Sequence, residues 1–153
     1  MAQFSFLPAL ETGELSDDLR ELFDELATSL AHTQRAYSGE CRPSLDVLET
    51  DEAIEVTLDV AGVPPAAIRI LFRSGVLLIA GEKAPPESHT ARSFHLVERE
   101  FGRFARAVRL NGAFDVQRSH AVVEQGELKI TLPKMPERRG SAQRIAVGGE
   151  GGG

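Results

Sequence analysis

At Pro43 the hydrophobic period of the chain drops from about 3.6 residues to 2, and this change limits the possible folds more than any other feature. Ile54, Val56, Leu58 and Val60 alternate with Glu55, Thr57 and Asp59, a half-buried strand bounded by Asp51-Glu52 and by Gly62 with Pro64-Pro65. Ile68, Ile70 and Phe72 carry the next strand, and Ser74-Gly75 turns it into the apolar run Val76 to Ala80, which Gly81 stops. A polar loop opens at Pro85-Pro86, after which Phe94, Leu96 and Val97 predict a short strand in a charged setting. Phe104, Val108 and Leu110 predict another, ended by Asn111-Gly112. Val122-Val123 and Leu128 to Leu132 then flank a turn at Gln125-Gly126, and Pro133 and Pro136 bar a further central strand. Seven or eight short strands without helical crossovers between them specify an antiparallel β-sandwich, an all-β fold.

The flanks differ from this middle. Leu15, Leu19, Leu22, Phe23, Leu26 and Leu30 recur at helical spacing among Asp18, Arg20, Glu21, Asp24 and Glu25, with Ser16 placed to cap the helix. Phe4, Phe6 and Leu7 form a separate apolar cluster upstream. Two uses fit this amphipathic arm: packing on its own domain, or contact with other chains. Residues 32–42 read as a linker. Three units follow: an N-terminal arm, partly helical or disordered, over 1–42; a sandwich over 43–134; and a flexible extension over 135–153, whose Gly-rich end is expected to be disordered.

The residue inventory offers little for catalysis, and the expectation is a non-enzyme without cofactor or metal. The only lysines, Lys83, Lys129 and Lys134, do not follow a glycine loop of nucleotide-binding spacing, and no G-x-S-x-G is present. His32, His89, His95 and His120 lack metal-ligand spacing, and the adjacent Ser119 and His120 point to opposite faces of a strand. A net charge of −6 argues against nucleic acid as a partner. The single cysteine, Cys41, makes no internal disulfide and suits a reducing cytoplasm. No apolar run approaches the roughly 18 residues that span a bilayer, so integral membrane association is not expected.

Two features stand out against that background. Arg106 shares a strand face with Phe104, Val108 and Leu110, where a guanidinium needs a carboxylate such as Glu98 or Glu100, or an acid of another chain. Ile145-Ala146-Val147 stands isolated in a tail of Arg, Gly, Ser and Gln; as a short strand it places both branched side chains on one face, fit to add to a sheet edge. Fully burying each contributes roughly 1.5–3 kcal/mol. Such a contact is weak alone and effective only when many subunits are joined.

Six segments in order resemble the small heat-shock protein (alpha-crystallin domain) family of the bacterial and plant type. Pro43 to Glu49 resembles its opening P-x-x-D-x-x-E strand, Asp59 to Val63 its D-L-P-G-V turn, and Leu77 to Glu82 its L-x-I-x-G-E. Glu98 to Arg106 is similar to E-R-x-x-G-x-F-x-R, Ala121 to Lys134 to A-x-x-x-x-G-x-L ending in P-K, and Ile145 to Val147 to the I-x-I/V tail. Ala61, Asn111-Gly112 and Glu127 depart from the pattern; the last either weakens the local core or faces solvent. The resemblance implies an immunoglobulin-like sandwich that acts as an ATP-independent holdase for unfolding client proteins, a homodimer assembling into larger oligomers. It assigns the dimer interface to Leu45, Val47, Phe94, Leu96, Glu98 and Arg106, and the oligomerisation tail to Ile145 and Val147. That tail docks in a groove of Ile68, Ile70, Phe72, Ala121 and Val123, while Phe4, Phe6, Leu19, Leu22, Phe23 and Leu26 meet clients. The alternative is a co-chaperone-like adaptor of the CS-domain type that binds one specific partner and has no need of the tail motif.

Overall fold

The structure, a computed structural model, describes residues 5–6, 13–29, 40–86 and 92–135. A short strand β1 (Ser5–Phe6) and helix α1 (Gly13–Ser29) precede seven strands: β2 (Leu45–Glu49), β3 (Ala53–Asp59), β4 (Ile68–Arg73), β5 (Val76–Lys83), β6 (Gly102–Arg109), β7 (His120–Glu124) and β8 (Glu127–Pro133). They form two antiparallel sheets of four, in the orders β1-β6-β5-β4 and β2-β3-β8-β7, the sandwich expected from the period.

Alternation drives the closure. Ile54, Val56 and Leu58 of β3 and Leu128, Ile130 and Leu132 of β8 point inward to meet Leu77, Ile79, Phe104 and Val108 of the other sheet in the main core. Both tight hairpins fall where the glycines put them. Ser74-Gly75 and Gln125-Gly126 have positive φ at both central residues (52° and 78°; 53° and 78°), the twist that suits a two-residue hairpin. At Gly81, which pairs with Phe104 across β5 and β6, a Cβ would lie 2.2 Å from the Phe104 Cζ, so the ring packs directly on bare backbone. Glu127 faces solvent on the outer side of its sheet, in a row with Glu124 and Asp59, and so leaves the core intact.

The run Leu77-Leu78-Ile79-Ala80 has no polar face because β5 is buried on both sides. Leu77 and Ile79 enter the main core; Leu78 and Ala80 join Ala107 in a second cluster roofed by Leu22 and Leu26 of α1. Two expectations change here. Ser16 lies inside α1 rather than at its cap, because the helix opens a turn earlier at Gly13. Residues 94–97 form no strand: the segment 92–100 is exposed and has no ladder partner among the described residues, and an extended segment needs a second backbone to become a strand. The strand the sequence did not announce is β1, where Ser5 and Phe6 pair with Arg109 and Val108.

Candidate functional site

Among the described residues no group of three or more His, Cys, Asp or Glu is placed to hold a metal, and no helix is long and apolar enough to cross a membrane. A cleft of about 220 Å³ lies between Cys41, Arg42, Pro43, Asp59, Val60, Val63, Lys83, Glu100 and Phe104. Its only thiol is held in the neutral form. Burial pushes Cys41 above the ordinary thiol range, against the opposing pull of Lys83, and Sγ donates to the Gly102 carbonyl at 3.5 Å. A neutral thiol is a poor nucleophile. Cys41 is also tied into the fold, its N–H donating to Arg103 O at 3.0 Å, so the presumed linker ends before it.

Arg106 turns to the inner face of β6, as its parity requires, and sits half-buried. Its guanidinium donates to the Pro43 carbonyl at 2.6 Å, so backbone supplies part of the partner set assigned above to a carboxylate. Burial, with Arg42 nearby, lowers its pKa from the usual arginine value. This bond and the one from Cys41 to Arg103 set β6 beside β2. The opposite edges, β4 and β7, therefore flank the other seam of the sandwich.

That seam holds the expected groove residues. Ile68 is buried, Ile70, Phe72 and Val123 are half-buried against the main core, and Ala121 is exposed on the inward side of β7. Phe72 meets Phe114 edge to face, with centroids 6.0 Å apart. Neither β4 nor β7 has a ladder partner on its outer side among the described residues, so each is a sheet edge along an apolar lip. The tail residues assigned to this groove, Ile145 and Val147, lie outside the described residues.

The residues assigned to the dimer interface divide in two. Leu45 and Val47 point inward and pack half-buried on the core, while among the described residues β2 pairs with β3 alone. Phe94 and Leu96 stand 71% and 74% exposed, with Val97 beside them, and Glu98 is also exposed. A Phe and a Leu this exposed two residues apart form an apolar surface that no other described residue covers.

Four of the residues assigned to client contact, Leu19, Leu22, Phe23 and Leu26, lie on α1. Leu22 and Leu26 are buried (5% and 1% exposed) against the outer face of β5 and β6, with Leu19 and Phe23 half-covered at the rim. The parity of the strands makes that outer face apolar at Leu71, Leu78, Ala80 and Ala107, and the helical stripe of α1 seals it. Charge fastens the helix: Asp18, itself buried, pairs with Arg73, Glu25 lies 3.6 Å from Arg69, and Arg103 stacks 5.2 Å over the Phe23 ring. The period of 3.6 gave the face of the helix but not its target; the signal for the target was the four-residue apolar run in β5. Phe6 is placed by its backbone in β1, and Phe4 lies outside the described residues.

The description of the Hsp20/alpha crystallin family matches residues 46–148, well over half of the chain. Heat shock protein 16 of Schizosaccharomyces pombe is 28% identical over 131 residues, covering 84% of this chain and 91% of that protein. A 21.9 kDa heat shock protein of Oryza sativa subsp. japonica is 38% identical over 118 residues, 71% of this chain and 57% of that one. Among solved structures, heat shock protein 16.0 from Schizosaccharomyces pombe superposes with a TM-score of 0.61 at 30% identity, over 71% of this chain and 99% of that chain. A small heat-shock protein from Xylella fastidiosa, described as having a distinct high order structure, also gives 0.61 at 30% identity, over 70% and 96%.

Proposed function

Because the chain belongs to the Hsp20/alpha crystallin family, whose members are chaperones and not enzymes, we propose that it is an ATP-independent holdase. It binds unfolding proteins, prevents their aggregation, and works as a homodimer that builds larger oligomers in the cytoplasm. The observations that carry this reading are the exposed apolar surface of Phe94, Leu96 and Val97 and the edge of β2, which pairs with β3 alone among the described residues. The segment 92–100 of one protomer adds as a strand to β2 of its partner, which covers both liabilities at once. Glu98 of the joined segment then comes within reach of Arg106, which is anchored at Pro43 next to that edge. The tail pair Ile145 and Val147 fills the seam between β4 and β7 of a neighbouring dimer, where Ile70, Phe72 and Val123 are only half-covered. A groove that takes two side chains per tail gives contacts that exchange, and holding unfolded chains by adhesion needs no chemistry.

The test mixes the pure protein with a heat-aggregating enzyme and no nucleotide. Suppressed light scattering near stoichiometric ratios is expected; unchanged scattering would refute the holdase. The assembly is tested by native mass. Ile145→Ala with Val147→Ala should reduce large oligomers to dimers, whereas a monomer with or without the change would restore the adaptor reading, which the relatives named above do not support.

A further inference from the structure

The outer face of β4, β5 and β6 has a composition that goes beyond what α1 needs to stay attached. Leu71, Leu78, Ala80 and Ala107 form its apolar centre, and Arg69, Arg73, Arg103 and Arg109 stand around it on the same side by strand parity. Against these four guanidiniums the same face of the three strands carries a single carboxylate, Glu82, opposite Arg103. The rest of the chain is acidic overall, so this basic ring is a local concentration of charge. Its occupant complements it on both counts. α1 presents Leu22 and Leu26 to the centre, while Asp17, Asp18, Glu21, Asp24 and Glu25 outnumber Arg20.

We propose that this face is a binding site for acidic amphipathic helical segments of client proteins, and that α1 is the built-in competitor that occupies it until a client displaces it. The inference rests on the holdase reading and names a class of client for it. Two features make α1 displaceable. Each of its ion pairs with the sheet has one member more than half exposed, Arg73 in one and Glu25 in the other, so that salt screens them, and among its described side chains only Asp18, Leu22 and Leu26 are buried. A segment with two apolar residues four apart and carboxylates on its flanks meets the same four arginines and the same apolar floor. A basic amphipathic segment with the same apolar residues meets like charge at the rim and is rejected.

The experiment uses the full chain and three labelled peptides: a copy of Gly13–Ser29, an unrelated acidic amphipathic peptide with leucines four apart, and that peptide with lysine at every acid. Fluorescence anisotropy is expected to show both acidic peptides binding and the lysine peptide not. Asp18→Asn with Glu25→Gln should tighten acidic-peptide binding by about threefold or more by loosening the competitor. Arg69→Glu with Arg73→Glu should invert the preference in favour of the lysine peptide, a gain that a misfolded variant would not show. Equal binding of the acidic and lysine peptides, or no response to either pair of substitutions, overturns the proposal. Binding of the α1 copy without the unrelated acidic peptide also overturns it, since the face would then recognise only its own helix. Scattering with the heat-aggregating enzyme, run alongside, separates the two ideas: suppression that persists without any charge preference removes this inference and leaves the holdase standing.

Discussion

At Gly81 one missing methyl group lets two sheet neighbours pack. The Phe104 ring lies where any side chain at 81 would begin, so Gly81→Ala forces the ring or the backbone aside. A loss of about 1–3 kcal/mol is expected from such overpacking, read as a lower urea midpoint at unchanged slope. The double change Gly81→Ala with Phe104→Leu should lose less than the sum of the singles, because the smaller side chain vacates the clash. Cys41 gives the complementary case, a residue set by burial rather than by shape. Its thiol is raised in the folded chain, so the associated stability is fully present below the ordinary thiol range and is lost as pH climbs through the raised value. Cys41→Ser should therefore flatten the decline in stability on the alkaline side. Alkylation of Cys41 at mildly alkaline pH should be slower in the native chain than in the unfolded one.

Among the elements, those closed by local chemistry were legible and those closed by distant partners were not. The hairpins at Ser74-Gly75 and Gln125-Gly126 could be read because glycine tolerates the positive φ a tight turn demands. The alternation of β3 and β8 exposed the core, and the spacing of Leu22 and Leu26 exposed the buried stripe of α1. The surface on which that stripe rests depends on contacts across some fifty residues, such as Asp18 with Arg73, which no local pattern encodes. The segment 94–97 shows the limit most clearly. Its composition is that of a strand, yet pairing is a property of two backbones, and none among the described residues pairs with it. If a partner supplies the second backbone, Phe94→Ser with Leu96→Ser should lower the native mass, measured by light scattering. The stability of the single chain should change by no more than about 0.5 kcal/mol, as for exposed positions generally.

For the whole molecule, the layering is helix on sheet on sheet, and β5 belongs to both interfaces. Its side chains at 77 and 79 are gripped from one direction and those at 78 and 80 from the other. Amide hydrogens of β5 should accordingly exchange with solvent most slowly of all, since they open only when both layers give way. A fragment beginning at Pro43 would keep β2 to β8 but lose β1 and the helical layer, leaving Leu78, Ala80 and Ala107 facing water. Such a fragment should bind the dye ANS and precipitate at concentrations where the intact protein stays in solution. A protein of this design would have to shield part of itself from its own stickiness before it could act on that of others.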